Sequence, residues 1–427
     1  MQETFRKSLE NNWKNPNQRI LSFLENNVDD EGYPTVSKWN EFLVTENNDL
    51  EVYQTLMYFL INRKLPLPLA NISSDVTKNL FLRYKTKNIS SFKFSCDYED
   101  SLIHRLSKEP YQYEYDEWTL GYFPKNMGAN KISNYFAQEE RMKCEVMNKE
   151  TPIFLWTEEH GISRLLDSLR RMKMPSISKS IFRQTFTIAG QFAAQFNVNT
   201  SKNLYNLIEG TKVFDISSGW GDRLTGFYLS DKEMYIGTDP NAKMFEIYKE
   251  MCKTYESWLG NKNIQLTEYE NYFELKGIKT VRIYNLPAED LPYEEIPNVD
   301  VTFSSPPYFN KELYGKDSEK EDNQSWKRYT NDDQWLNNFL YVVMDNMIPK
   351  SKTTMINITD IGIGSGRKRI CDPMVNNYKD KFVGIAGFEL ARNMNVAKEV
   401  KGVYTEPIWV FGEFPTKKRN DLTSFFN

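Results

Sequence analysis

The sequence predicts an α/β protein built on a mostly parallel, doubly wound sheet. From residue 211 onward, short apolar runs alternate with helical stretches, which is the pattern of strands joined by crossover helices. The predicted strands are 213–216, 234–237, 281–284, 299–303, 354–358, 382–388 and 407–411. Helices are predicted at 241–258, 333–347 and 370–378, and a further apolar helix at 181–196. Ligand sites in such sheets lie just beyond the carboxyl ends of the strands.

Charge and composition limit the classes of function. The chain has 427 residues, and 54 Lys and Arg against 58 Asp and Glu give a formal charge of −4. This charge excludes a protein held on nucleic acid by bulk positive charge, so any such binding needs a local basic face. One candidate face lies between residues 161 and 197, although a solvated amphipathic helix is the alternative. Its cations are Arg164, Arg170, Arg171, Lys173, Lys179 and Arg183.

The cysteine and histidine content argues against disulfide and metal chemistry. The four cysteines lie far apart without a C-x-x-C pair, and only two histidines are present. We therefore predict neither a disulfide framework nor a metal site. No long apolar run occurs, and the first residues are polar and charged, so we expect a soluble, cytoplasmic protein.

A glycine-containing turn follows the first predicted strand. The sequence from Asp215 to Leu224 reads D-I-S-S-G-W-G-D-R-L. Glycines at a strand-to-helix turn let the backbone approach a ligand closely, and the first turn of the next helix offers free N–H groups. A tight turn that binds nothing is the alternative for this motif alone.

Acidic residues follow the next two strands. Asp239 ends the second strand, where a carboxylate can accept both hydroxyl hydrogens of a ribose. Asp239 can also cap the helix that begins at Pro240, and the two roles are compatible. The third strand leads into a polar turn that contains Asn285, Glu289 and Asp290. These side chains are placed to reach an adenine amino group.

The fourth strand leads into the most specific motif, Ser305-Pro306-Pro307-Tyr308. Consecutive prolines remove two backbone donors and fix the turn, so nearby carbonyls point outward as acceptors. With the Ser305 hydroxyl they form an acceptor-rich pocket for a planar amine, and Tyr308 offers a ring for stacking. An ordinary Pro-Pro loop is the alternative. The polar stretch 310–334 beyond it is either a substrate-contacting arm or a solvated insertion.

Together these motifs resemble the S-adenosylmethionine-dependent DNA amino-methyltransferases, which carry a (D/N/S)-P-P-(Y/F/W) signature. The pattern is also similar to that of phage- and virus-encoded DNA methylases. The resemblance implies a class I (Rossmann-like) methyltransferase fold, with a seven-stranded, mostly parallel sheet and a reversed last strand. It also implies a mostly helical N-terminal accessory domain, residues 1–155, as the candidate for target recognition. Residues 156–427 would form the methyltransferase domain.

The resemblance implies roles position by position. The positions that match its cofactor motifs are Asp215, Ser217, Gly219, Gly221, Asp239, Glu289 and Asp290. Asp215, Gly219 and Gly221 would hold the methionine part of S-adenosylmethionine, Asp239 the ribose, and Glu289 or Asp290 would lie near the adenine. The positions that match its catalytic motif are Ser305, Pro306, Pro307 and Tyr308.

The implied activity is methyl transfer to the exocyclic amine of a DNA base that has left the duplex, at adenine N6 or cytosine N4. Serine at the head of the signature does not decide between the two bases. Alternative substrates for the same chemistry are RNA and a protein glutamine amide. A relative that binds the cofactor without catalysing transfer is a further alternative.

Overall fold

The structure is a computed structural model that describes residues 2–87, 92–97, 102–104, 115–146, 149–190, 192–309, 312–314, 316, 320–363, 366–390 and 402–415. Its helices are α1 (Gln2–Asn12), α2 (Gln18–Asn26), α3 (Trp39–Glu46), α4 (Asp49–Arg63), α5 (Ser74–Thr86), α6 (Asn130–Met142), α7 (Pro152–Thr157), α8 (Glu159–Met172), α9 (Lys179–Ala189), α10 (Val198–Leu207), α11 (Asp222–Leu229), α12 (Ala242–Trp258), α13 (Ser325–Arg328), α14 (Asp332–Trp335), α15 (Tyr341–Met347) and α16 (Cys371–Asn377).

The strands are β1 (Lys93–Phe94), β2 (Leu102–His104), β3 (Thr119–Phe123), β4 (Glu145–Val146), β5 (Lys212–Asp215), β6 (Met234–Thr238), β7 (Gln265–Glu268), β8 (Tyr272–Lys276), β9 (Thr280–Tyr284), β10 (Val299–Ser304), β11 (Glu312–Leu313), β12 (Ser351–Asn357), β13 (Ile361–Ile363), β14 (Gly366–Lys368), β15 (Phe382–Glu389) and β16 (Val403–Gly412). All seven predicted strands therefore occur within a few residues of their predicted limits.

Seven strands form the centre of the main sheet in the order β15-β16-β12-β10-β5-β6-β9. Strands β5, β6, β9, β10 and β12 run parallel to one another, and β16 runs antiparallel to both of its neighbours. This order, with the last strand reversed, is the class I methyltransferase fold, so the predicted fold class is confirmed. The strand order changes direction between β5 and β10, and such a switch point is where ligands bind in open α/β sheets.

Additional strands extend this sheet at both edges. The hairpin β7–β8 continues it beyond β9, and β3 pairs in parallel with β15 while β1 pairs with β3. Strand β2 pairs with the first residues of β16. These three N-terminal strands were not predicted from the sequence, and they show that the first third of the chain is not only helical.

The chain forms two compact units, and each is built from two stretches of sequence. Unit 1 comprises Met1–Asn71 and Gln138–Ala194, and unit 2 comprises Ile72–Ala137 and Gln195–Asn427. Unit 2 contains the main sheet. The domain boundary predicted at residue 155 does not coincide with this division into two units. An accessory role for residues 1–155 remains a prediction.

Unit 1 has its own helical core. Its longest described helix, α4, begins after Asn48, whose side chain accepts a hydrogen bond from the Glu51 amide and so caps the first turn. Apolar residues of α4, α8 and α9 recur at helical spacing and bury a common face. The predicted helix 181–196 ends earlier, at Ala189, because Gly190 follows in an extended conformation.

The connections between strands agree with the predictions at most positions. Helix α12 fills the predicted range 241–258, and α16 fills 370–378. The range 333–347 is helical throughout but includes a π-helical turn at Leu336–Leu340. Among the described residues, every helix is too short or too polar to cross a membrane.

Candidate active site

The turn after β5 depends on two glycines with left-handed backbone angles. Gly219 has φ +57° and Gly221 has φ +76°. A Cβ on Gly221 would lie 2.6 Å from Cε of Met251, so a side chain at this position would require the buried Met251 side chain to shift. A Cβ on Gly219 would have its nearest neighbours at 3.7 and 3.8 Å, so the backbone is open there to a ligand. The turn therefore offers one closely packed glycine and one accessible glycine.

Asp239 lies directly against this turn. The Gly219 amide donates to Oδ2 of Asp239 over 2.8 Å, and the Asn241 amide donates to Oδ1 over 2.9 Å. The cap of α12 is Asn241, whose side chain accepts from the Lys243 and Met244 amides, so Asp239 is not needed for that purpose. Burial raises the pKa of the Asp239 carboxyl to about 6.

Asp215 is fully buried beneath the turn and holds it from below. Its Oδ2 lies 2.8 Å from Nε of Arg223 and accepts from the Tyr235 hydroxyl over 2.7 Å. The Ser304 hydroxyl donates to Oδ1 over 2.9 Å. Arg223 also donates to the Ser217 carbonyl oxygen. These protein contacts make Asp215 a residue that shapes the turn, and direct contact with a cofactor remains a prediction.

The glycine turn and the Ser-Pro-Pro-Tyr loop meet through Ser217. Its Oγ lies 2.7 Å from Oγ of Ser304 and 2.9 Å from the carbonyl oxygen of Ser305. The meeting point lies where β5 and β10 pair, which is the switch point of the sheet. The two motifs are therefore in direct contact at the carboxyl edge.

The loop itself is fixed by its prolines and by Tyr308. Pro306 is buried, whereas Ser305 is half-buried, and the described residues provide no hydrogen-bond partner for its Oγ. The Thr359 amide, just beyond β12, donates to the Tyr308 hydroxyl over 3.0 Å. Burial raises the pKa of Tyr308, so the phenol stays neutral. The ring is consequently held at its hydroxyl end, while Ser305 is free to contact a ligand.

Glu289 and Asp290 lie on a 3₁₀ turn after β9 and are engaged by residues of the polar stretch. Arg328 forms a two-contact ion pair with Asp290, and its Nε lies 3.2 Å from Oε1 of Glu289. The Tyr329 hydroxyl donates to the same Oε1. Burial raises the pKa of Glu289, while Tyr329 and Arg328 oppose this rise.

Several residues of the site were missed by the sequence prediction. Arg223 could have been noted as a cation eight residues after Asp215, but its position at a helix start is typical of an exposed side chain. Thr359, Arg328 and Tyr329 carry no local motif. Their roles depend on contacts across the fold.

Most cations of the predicted basic face pair with acids inside unit 1. Arg164 pairs with Glu150, Arg170 and Arg171 pair with Asp167, and Lys179 pairs with Glu31. Asp167 is buried, so α8 uses two of its arginines to neutralise an internal acid. The use of this face for nucleic acid remains a prediction.

No protein-family model matches the chain, and the comparison with curated proteins finds no match. Among solved structures, the chain is similar to a SAM-dependent methyltransferase from Agrobacterium tumefaciens, with 12% identity over 52% of this chain and 64% of that one and a TM-score of 0.31. An rRNA methylase from Streptococcus thermophilus shares 9% identity over 52% of this chain and 98% of that one, with a TM-score of 0.30. Trm1 from Pyrococcus horikoshii, solved with S-adenosyl-L-methionine, shares 14% sequence identity over 51% of this chain and 56% of that one, with a TM-score of 0.29. At such low TM-scores the likeness assigns no substrate, and the fold class follows from the strand order itself.

Proposed function

We propose that the protein transfers a methyl group from S-adenosylmethionine to the exocyclic amine of a DNA base, at adenine N6 or cytosine N4. The observation that carries this proposal is the contact of Ser217 with Ser304 and Ser305. It joins a ligand-accessible glycine turn to an acceptor-rich proline loop at the switch point of a methyltransferase sheet. A methyl donor bound at the glycine turn and an amine bound at the proline loop would therefore be adjacent.

The residues present fit the cofactor. Gly219 is open to a close approach, and the neighbouring Asp239 supplies carboxylate oxygens for the two ribose hydroxyls. The turn after β9 adds Asn285, whose side chain donates to the Asp239 carbonyl oxygen over 2.9 Å. This hydrogen bond connects the turn after β9 to the turn after β6. When bound, S-adenosylmethionine supplies an electrophilic methyl group on a sulfonium.

The protein residues would contribute to catalysis by making the amine of the base more nucleophilic. An exocyclic base nitrogen is a poor nucleophile because its lone pair is delocalised into the ring. Ser305 Oγ and the Pro306 carbonyl oxygen would accept its two hydrogens and favour a pyramidal nitrogen with its lone pair directed at the methyl carbon. The nitrogen would gain the methyl group, the sulfur would keep the electron pair of the broken C–S bond, and the surplus proton of the amine would pass to solvent.

Tyr308 is suited to holding the base. Its hydroxyl accepts a hydrogen bond from the Thr359 amide, so the far end of the ring has a fixed position, and a ring held in place is a better stacking surface than a mobile one. The base must leave the duplex to reach this loop, because its amine is otherwise covered by the stack.

The test is mass spectrometry of nucleosides from cells that express the protein or its Ser305→Ala variant. We expect N6-methyladenine or N4-methylcytosine in DNA from the first culture only. Methylated amines confined to RNA would replace DNA with RNA as the substrate. Purified protein that binds S-adenosylmethionine but modifies neither nucleic acid would refute the proposal in favour of a glutamine substrate or an inactive relative.

A further inference from the structure

Residues 320–329 form a bridging segment between the catalytic loop and the turn after β9. In the middle of the segment, the Ser325 hydroxyl donates to the carbonyl oxygen of Phe309, which directly follows the Ser-Pro-Pro-Tyr motif. At its first residue, Lys320 Nζ donates to the Asn285 carbonyl oxygen over 3.2 Å. The segment is therefore attached to both motifs and is not a detached surface insertion.

The last two residues of the bridging segment organise both acids of that turn. Arg328 uses Nη1 and Nη2 for the Asp290 carboxylate, which is the planar two-contact geometry that a guanidinium favours. Its Nε lies 3.2 Å from Oε1 of Glu289, and the Tyr329 hydroxyl donates to that same oxygen. Neither contact uses Oε2 of Glu289.

These contacts affect the protonation state of Glu289 and its capacity to accept a hydrogen bond. Its side chain is only 6% exposed, so without partners its neutral form would be favoured, and a protonated carboxyl is a poorer acceptor. Arg328 lies between Glu289 and Asp290 and compensates the repulsion between two adjacent carboxylates. Arg328 and Tyr329 therefore favour the ionised form of Glu289 against the effect of its burial, with one oxygen fixed and the other able to accept a hydrogen.

We propose that Arg328 and Tyr329 are positioning residues that make Glu289 the acceptor for the adenine amine of the cofactor. The inference rests on the proposed function, because it presupposes an S-adenosyl ligand beside Asp239. It assigns to the bridging segment a role in selecting a 6-amino purine.

The test compares two ligands that differ at that edge of the purine, S-adenosylhomocysteine and S-inosylhomocysteine, in which an oxo group replaces the amine and N1 carries a hydrogen. Binding is measured calorimetrically on the full chain and on its Arg328→Met, Arg328→Lys and Tyr329→Phe variants. Lys327→Met is the matched control, because Lys327 lies on the same helical turn and pairs with Glu321. A hydrogen bond to a charged acceptor predicts a wild-type preference of roughly tenfold or more for the adenosyl ligand.

We expect Arg328→Met to lower this preference to near unity, Tyr329→Phe and Arg328→Lys to lower it partly, and Lys327→Met to leave it unchanged. Equal weakening of both ligands would mean a merely structural role and would overturn the inference. Tighter adenosyl binding by Arg328→Met would also overturn it, since Arg328 would then block the site. Failure of the wild type to bind either ligand would refute the proposed function itself.

Discussion

The backbone amide of Gly219 donates to Oδ2 of Asp239 over 2.8 Å. This bond joins the turns that follow β5 and β6, so the accessible glycine and the ribose-side acid keep a fixed spacing. The same carboxylate receives the Asn241 amide on its other oxygen, which fixes its plane as well. A ligand that uses both turns would meet them already arranged.

Cofactor affinity should depend on pH through Asp239. Burial raises the pKa of this carboxyl to about 6, so acidification below that value protonates it. A neutral carboxyl accepts hydroxyl hydrogens less well, and affinity should therefore fall as the pH is lowered, by about tenfold per pH unit if only the ionised form binds. Calorimetric titration with S-adenosylhomocysteine between about pH 5 and 7, roughly one unit to either side of this pKa, measures the effect.

The control for this pH dependence is Asp239→Asn, which should bind weakly at every pH in that range. If the variant retained the wild-type pH profile, a group other than Asp239 would be responsible.

Alanine at the two glycines of the turn should produce different defects. Both substitutions place a side chain in a left-handed backbone, at a cost of about 1–2 kcal/mol each. Gly219→Ala meets no close atom and should mainly weaken cofactor binding. Gly221→Ala overlaps the buried Met251 and should destabilise the protein by about 1–3 kcal/mol more. Thermal melting and ligand titration separate the two effects, and the cost of Gly221→Ala should be smaller when it is measured against a Met251→Ala background.

Removing the Ser305 hydroxyl should impair catalysis without impairing cofactor binding. Ser305→Ala should lower the rate of methyl transfer by about 100-fold, which is the usual effect of losing one group that acts on the transition state. Tyr308→Phe keeps the ring and loses the hydroxyl that is bonded to Thr359, so its rate should fall less than that of Tyr308→Ala. Single-turnover assays with labelled methyl donor measure the rates. Loss of cofactor binding in Ser305→Ala would contradict the assigned role.

Arg223 should be important for stability. Arg223→Met leaves the fully buried Asp215 without its cation, and breaking such a pair costs about 3–5 kcal/mol. Arg282→Met removes the partly exposed pair with Glu274 and should cost less than the Arg223 substitution. Urea titration of both variants provides the comparison. The double variant Asp215→Asn/Arg223→Met should recover part of the loss, and no recovery would mean that Arg223 acts through its packing alone.

The strands of the sheet were predictable because their apolar runs are short and are bounded by polar turns. The residues at their carboxyl ends, such as Asp239 and Ser305, were predictable for the same reason. No single apolar run encodes which strands are neighbours in the sheet. The predicted arrangement of the strands therefore depended on the family resemblance. The observed order confirms it.

Other features could not be derived locally. Arg223 is part of an ordinary polar helix start, and its burial follows only from the position of Asp215 below it. Strand β3 is short and contains Gly121, and its pairing with β15 joins segments far apart in the sequence. The ion pair of Arg328 with Asp290 likewise depends on how residues 320–329 cross the sheet edge.

The parallel pairing of β3 with β15 has a consequence for biosynthesis. The partner strand emerges from the ribosome about 260 residues after β3. At ordinary elongation rates of about 5–20 residues per second, β3 waits for tens of seconds before its ladder can form. During that interval its unsatisfied amides and carbonyls are open to wrong partners, so this chain should need chaperone protection while it is being translated.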